Sequence, residues 1–191
     1  MATASDIQSE TKQHLSDMAA LEKHILDAVE KQIEVDEVKK DIEALGLLSK
    51  TKEMLTRHVG QLEAMAEAQD AETRTSMKAL FTRFLGNVAG VYNSIRSDEA
   101  SRAIRDTYTA LNLMSASLTA MKTFGLVVGK ESISKLAYEQ MRELLPLIME
   151  FNTKLPYIVA REIAAKDGLP FDIAVPQRVE KATQRIWNHE D

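Results

Sequence analysis

Glu22 stands four residues after Met18 and three before Ile25, inside the apolar stripe of a helical pattern. A carboxylate buried there needs a hydrogen-bond donor or a cation. Two further acids, Glu53 and Glu143, lie on other helical segments. The plain alternative for all three is a partly exposed helix carboxylate, or a buried acid paired with Lys or Arg. The histidines His14, His24, His58 and His189 do not form a ligand set at helical spacing. His24 follows Glu22 by two, which turns the two side chains onto different faces. His58 stands beside its apolar stripe and reads as a flanking or packing histidine.

Other chemistries lack their residues. The chain has no cysteine, so disulfides, thiolate clusters, zinc fingers and cysteine nucleophiles are excluded. Ser101, Ser115, Ser117 and Thr119 have no histidine and acid at helical spacing to activate them, so no hydrolase triad is read. Gly86 and Gly90 fall inside a helical pattern and Gly125 and Gly129 at a helix end. They suit close helix packing, with Ala79, Asn87 and Ser94, and do not make a phosphate loop. Met114 and Met121 share one seam, while Met141 and Met149 lie on a later segment. Thioethers can line an apolar pocket or ligate haem iron, but this spacing suits core packing. No catalytic residue is assigned.

The elements that position these residues are helical. Only seven glycines and four prolines punctuate 191 residues, and β-branched alternation is scarce; an all-α fold follows. A first helix starts after Ser5 or Ser9 and runs to about Val35, with a stripe of Leu15, Met18, Ile25, Val29 and Ile33. Asp36 caps a second helix, Glu37 to about Asp70, with Val38, Ile42, Leu45, Leu48, Leu55, Val59 and Leu62 inward and a kink or break at Gly46. A shorter crossover helix spans about Arg74–Ile95. Asp98 caps a third long helix to about Val128, with a seam of Met114, Ser117, Met121, Phe124 and Val128, and Gly129 stops it. Ser132 caps a fourth, through Leu136, Met141, Leu144, Ile148, Phe151 and Leu155. Pro146 and Pro156 predict a kink or break near each. Gly168 ends this region, Leu169–Val175 is a linker, and Gln177–Asn188 a short terminal helix. Two long helices, a helical crossover and two more long helices is the connectivity of a ferritin-like four-helix bundle. Residues 1–167 form the bundle and 168–191 a C-terminal extension.

Particular residues sharpen this. Ala20-Leu21-Glu22-Lys23-His24-Ile25-Leu26-Asp27-Ala28-Val29 resembles the first helix of the bacterial YciE/YciF-type ferritin-like family. His58-Val59-Gly60-Gln61-Leu62-Glu63 resembles its second-helix signature. Ile104-Arg105-Asp106 with Phe124-Gly125 is similar to its third helix, and Ser134-Lys135-Leu136 with Glu139 to Glu143 to its fourth. The resemblance spans about Leu15–Ile163. It implies two metals held between the helices by carboxylates and histidines. Carried over, Glu22 matches the first-helix glutamate, Glu53 the second-helix one and Glu143 one on the fourth. The partner of Glu53 becomes Thr56, the position three after Glu143 is Pro146, and the third-helix carboxylates become Ser117 and Ala120. The resemblance therefore implies a bundle that has lost most of its metal ligands. Glu22, Glu53 and Glu143 are the candidate residue of a metal site, and iron or manganese is the alternative cofactor to none.

Net charge is −5 with scattered basic residues, which gives no dedicated nucleic-acid surface. No apolar run approaches the ~20 residues of a membrane span, and no signal peptide is visible. A cytoplasmic protein without membrane or nucleic-acid partners is expected. The reading is a non-enzymatic, stress-associated protein acting by self-association, as a homodimer, or through a protein partner. The alternative is a metal-binding protein with a reduced carboxylate site. The tail has too many apolar residues to be idle, and is expected to dock on its own bundle or a second subunit with Trp187 as anchor.

Overall fold

The protein, as a computed structural model, is described over residues 3–68 and 99–188. The expected crossover helix at Arg74–Ile95, the Asp98 cap and His189 lie outside those residues. The described residues form six helices and no strand: α1 (Ala4–Ile33), α2 (Asp36–Lys40), α3 (Ile42–Glu67), α4 (Ala100–Val127), α5 (Glu131–Asp167) and α6 (Ala174–Trp187). They make an all-α bundle. Helices α1, α3, α4 and α5 pack around one core, and α6 lies against α5.

Helix α1 begins earlier than the serines suggested. The Thr3 hydroxyl accepts the Asp6 N–H at 3.2 Å and the Asp6 carboxylate accepts the Thr3 N–H at 2.8 Å. This reciprocal cap satisfies two donors that the helix itself cannot. The second expected helix is divided. Asp36 opens α2 as its first residue, with Val35 at the cap position. The chain then breaks at Asp41, not at Gly46. Asp41 adopts an extended conformation (φ −98°, ψ 104°), and its carboxylate accepts the Ala44 N–H at 3.0 Å. The same carboxylate is gripped by Arg161, with Nη2–Oδ2 at 2.8 Å. An aspartate that can cap a new helix and anchor an arginine ends the old one. The break re-phases α3, which leaves Ile42 86% exposed although it fell in the expected stripe.

On α4 the inward face is Ile104, Thr107, Leu111, Met114, Leu118, Met121 and Gly125, all buried. Its spacing of three and four follows one face of a helix. The expected seam through Ser117 and Phe124 lies one residue off this line, and both are only half-buried. Gly125 is where α4 and α5 come together. A Cβ there would stand 2.7 Å from the Ser134 amide nitrogen. Gly129, at φ +69°, makes the turn in a conformation that glycine adopts without strain.

Helix α5 runs unbroken past Pro146 and Pro156. Pro146 is exposed and Pro156 half-buried. The opposite face drives Leu144, Leu147, Ile148, Phe151 and Ile158 into the core. That burial holds the helix together where two donors are lost. Gly168, in the left-handed region at φ +64°, ends α5, and Leu169 N–H donates to the Ala164 carbonyl at 2.9 Å. Helix α6 begins three residues before the expected Gln177, with the buried Pro176 in its first turn.

The core makes two expectations measurable. Leu118→Ala should lower unfolding free energy by about 2–5 kcal/mol in denaturant titration. Gly125→Ala, forced against backbone, should cost about 1–3 kcal/mol. A loss below about 0.5 kcal/mol for Leu118→Ala would place that face outside the core.

Candidate functional site

Helix α1 carries Glu22 into the interior beside Met18 and Ile25, and the residue is fully buried. Neither carboxyl oxygen has a hydrogen-bond partner in the protein. Helix α3 presents His58, whose side chain is also fully buried, with Nδ1 3.9 Å from Glu22 Oε1. That separation is too long for a hydrogen bond. The other ring nitrogen, Nε2, lies 3.6 Å from Glu143 Oε2 on α5. Glu143 reaches the surface, where its Oε2 accepts Arg57 Nη2 at 2.6 Å. Below the ring, Gln140 donates through Nε2 to the His58 carbonyl at 3.2 Å and leaves its own Oε1 buried without a partner.

Burial sets the protonation of this line. Desolvation pushes the Glu22 carboxyl well above the usual carboxylate range, which favours its uncharged form. Desolvation also lowers the His58 imidazole to about 4, aided by Arg57 and opposed by the Glu143 charge. Glu143 is held below the usual range, first by its hydrogen bond to Arg57. The neutral imidazole carries one proton. Placed on Nε2 it faces the Glu143 carboxylate, and the Nδ1 lone pair then faces the Glu22 hydroxyl. The arrangement sets a carboxyl whose uncharged form burial favours, a neutral imidazole and an ionised carboxylate in succession from core to surface.

The residues expected to hold a metal are only partly brought together. Glu22 and Glu143 face opposite edges of one imidazole ring, so a single ion cannot bind both along with His58. Glu53 is exposed and borders a shallow surface depression with Glu143, Arg57 and Arg142. Among the described residues no group of three or more histidine or acidic side chains is arranged to hold an ion. The three carboxylates therefore do not fit one ion's ligand set. Ala120 is exposed and Ser117 bonds its own helix, to the Leu113 carbonyl at 3.0 Å. These two positions do not face Glu22; Leu118 and Met121 turn inward instead.

His58 itself was read as a flanking residue and is in fact central. Its signal was its spacing from Leu55 and Leu62, three and four residues away on the buried face of α3. His14 stacks on Phe124, ring centroids 4.3 Å apart. Met114 and Met121 are core residues.

A second feature gathers at the far end of α5. Arg161 holds both Asp41 and Glu43, and Lys154 reaches Glu43 at 2.8 Å. Beside this network a groove of about 830 Å³ opens among Ile42, Glu99, Ala100, Ile158, Glu162 and Ala165. On an adjacent side of α5 the tail returns, and Tyr157 donates its hydroxyl to Glu180 Oε2 at 2.6 Å. Pro176 is buried there, yet Trp187 stays 52% exposed and Ile186 75%. Trp187 is therefore not the anchor of the tail on its own bundle; Pro176 and Glu180 make that contact.

Comparison with protein-family models, curated proteins and solved structures returns no match. Among the described residues no helix is long and apolar enough to cross a membrane.

The buried acid has a pH signature. With a raised folded pKa, the Glu22 contribution is fully present below its unfolded value of about 4.3 and is lost as pH rises toward the folded value. His58 works oppositely: its contribution is present above about 6.5 and is lost as pH falls through about 4. Glu22→Gln should therefore gain stability over the parent as pH rises from 4.5 to 7.5. Urea midpoints across that range report it. Parallel curves for the two proteins would mean that Glu22 is not buried as an acid.

Proposed function

We propose that this protein is a non-enzymatic, ferritin-like bundle that works by self-association, as a homodimer, through its C-terminal face. The observation that carries the reading is the tail. From Leu169 to Trp187, Leu169, Phe171, Ile173, Val175, Val179, Ile186 and Trp187 are all 42–75% exposed. So many exposed apolar side chains on one short segment support an interaction site there. The packing of α6 on α5 presents that surface from a fixed position, because Tyr157 and Pro176 hold the helix against the bundle. Holding it there lowers the ordering cost of binding.

The order of the helices and the residues around Glu22, His58 and Glu143 support the ferritin-like part of the proposal. The divided carboxylates around His58 support the loss of metal chemistry. A cytoplasmic, stress-associated role is the setting that this reading carries over from the YciE/YciF-type resemblance.

Deleting the residues after Lys166 should convert a dimer to a monomer by light scattering, with the bundle still folded by circular dichroism. If the mass of the full-length chain is already that of a monomer at high micromolar concentration, self-association is not its function.

A further inference from the structure

This inference rests on the self-association reading above and names the two surfaces that meet. We infer that the free edge of α6 on one copy seats in the groove at the α2–α3 break of a second copy.

Helix α6 has two working sides. Pro176, Thr183 and Glu180 turn toward the bundle and are the least exposed of its residues. Val175, Val179 and Ile186 recur at steps of four and seven, a different face, and remain 42%, 47% and 75% exposed. Beside that apolar edge stand Arg178, Lys181 and Arg185 at steps of three and four. The helix carries these three cations against one acid, Glu180.

The groove has the complementary character. Ile42, Ala100, Ile158 and Ala165 line it, and Ile42 is the most exposed large apolar side chain described. Five carboxylates against three cations surround them. Arg161 already occupies Asp41 and Glu43. Glu162 has no cationic partner among the described residues; its carboxylate accepts the Ser101 N–H at 2.9 Å. An apolar edge flanked by cations thus meets an apolar floor flanked by acids, with net charges of opposite sign.

A second copy is the occupant because both surfaces lie on the C-terminal half of α5. Ile158, Arg161, Glu162, Ala165 and Lys166 border the groove, and Tyr157 holds α6. When a donor and its acceptor share one end of a molecule, a single two-fold axis closes both contacts at once. Each α6 keeps its own Tyr157 contact and offers its other edge across the axis.

The absence of native cysteine makes cross-linking direct. Ile42→Cys and Ile186→Cys, both at well-exposed positions, are purified separately, mixed and oxidised. The mixture should give a disulfide-linked dimer joining the two variants, and neither alone should, since a disulfide needs Cα atoms within about 7 Å. Ile186→Cys that cross-links to itself means that tails pair with tails; the groove inference then falls while self-association stands. A dimer that cross-links in no mixture overturns the seating in the same way, and a monomer removes the underlying reading. Independently, Lys181→Glu with Arg185→Glu should weaken the dimer by about tenfold, and adding Glu162→Lys should recover most of that loss. An unchanged dissociation constant in the first variant also overturns the seating.

Discussion

A carboxyl group sealed in an apolar core must be neutral or paired, and the middle of this bundle is organised by that requirement at Glu22. Its oxygens have no hydrogen-bond partner, and 3.9 Å away stands an imidazole that burial keeps neutral. Charge appears only one step outward, at Glu143, where Arg57 and water can support it. Burial sets the inner two groups, and the Arg57 hydrogen bond sets the outer one. Because the three groups come from α1, α3 and α5, a slip of any one helix by a residue would strand an acid or a base among leucines. Buried polar groups without partners cost stability. Thr107 and Gln32 avoid that cost between α4 and α1, the hydroxyl donating to the amide oxygen at 2.7 Å in a buried setting.

The end of the bundle is governed by a different constraint. Asp41 has one carboxylate and two tasks, capping α3 and holding Arg161. The capping task needs a non-helical backbone at that point, so the helix does not pass through it. The consequence is structural economy at one site and exposure at the next. The short α2 keeps Val38 in the core, whereas Ile42, first in α3, is turned out. The groove beside Ile158 exists because of that turn. The ion network is half-exposed, so its contribution is better understood as positioning than as stability.

The helical class and most of the core were legible because stripes at three and four residues need no knowledge of partners. Leu15, Ile25, Leu48, Leu55, Leu144 and Phe151 were placed on the buried face from spacing alone, and they are buried. What spacing does not set is phase over a long helix with small and apolar residues on several sides. On α4, Met114 and Met121 fit two seams, one through Ser117 and one through Leu118, and packing against α5 at Gly125 selects the second. Prolines do not break α5, since the cost of each is local and the buried face on either side holds the helix. At the site, Glu22 was legible as a stripe residue. His58 was not, because its role comes from α1 and α5, which are distant in sequence.

The tail poses the remaining question of energetics. A terminal helix of 14 residues is short of what holds itself together in water. It must take its stability from contact, and on its own bundle it has a proline, a threonine and one hydrogen bond from Tyr157. That contact uses the polar and small side of the helix and leaves the aliphatic side free, the reverse of what burial favours. A helix docked by its weaker face holds its stronger face available. In this chain that face and the exposed Ile42 both lie beside the C-terminal half of α5, where Tyr157 holds the one and Ile158 and Arg161 border the other.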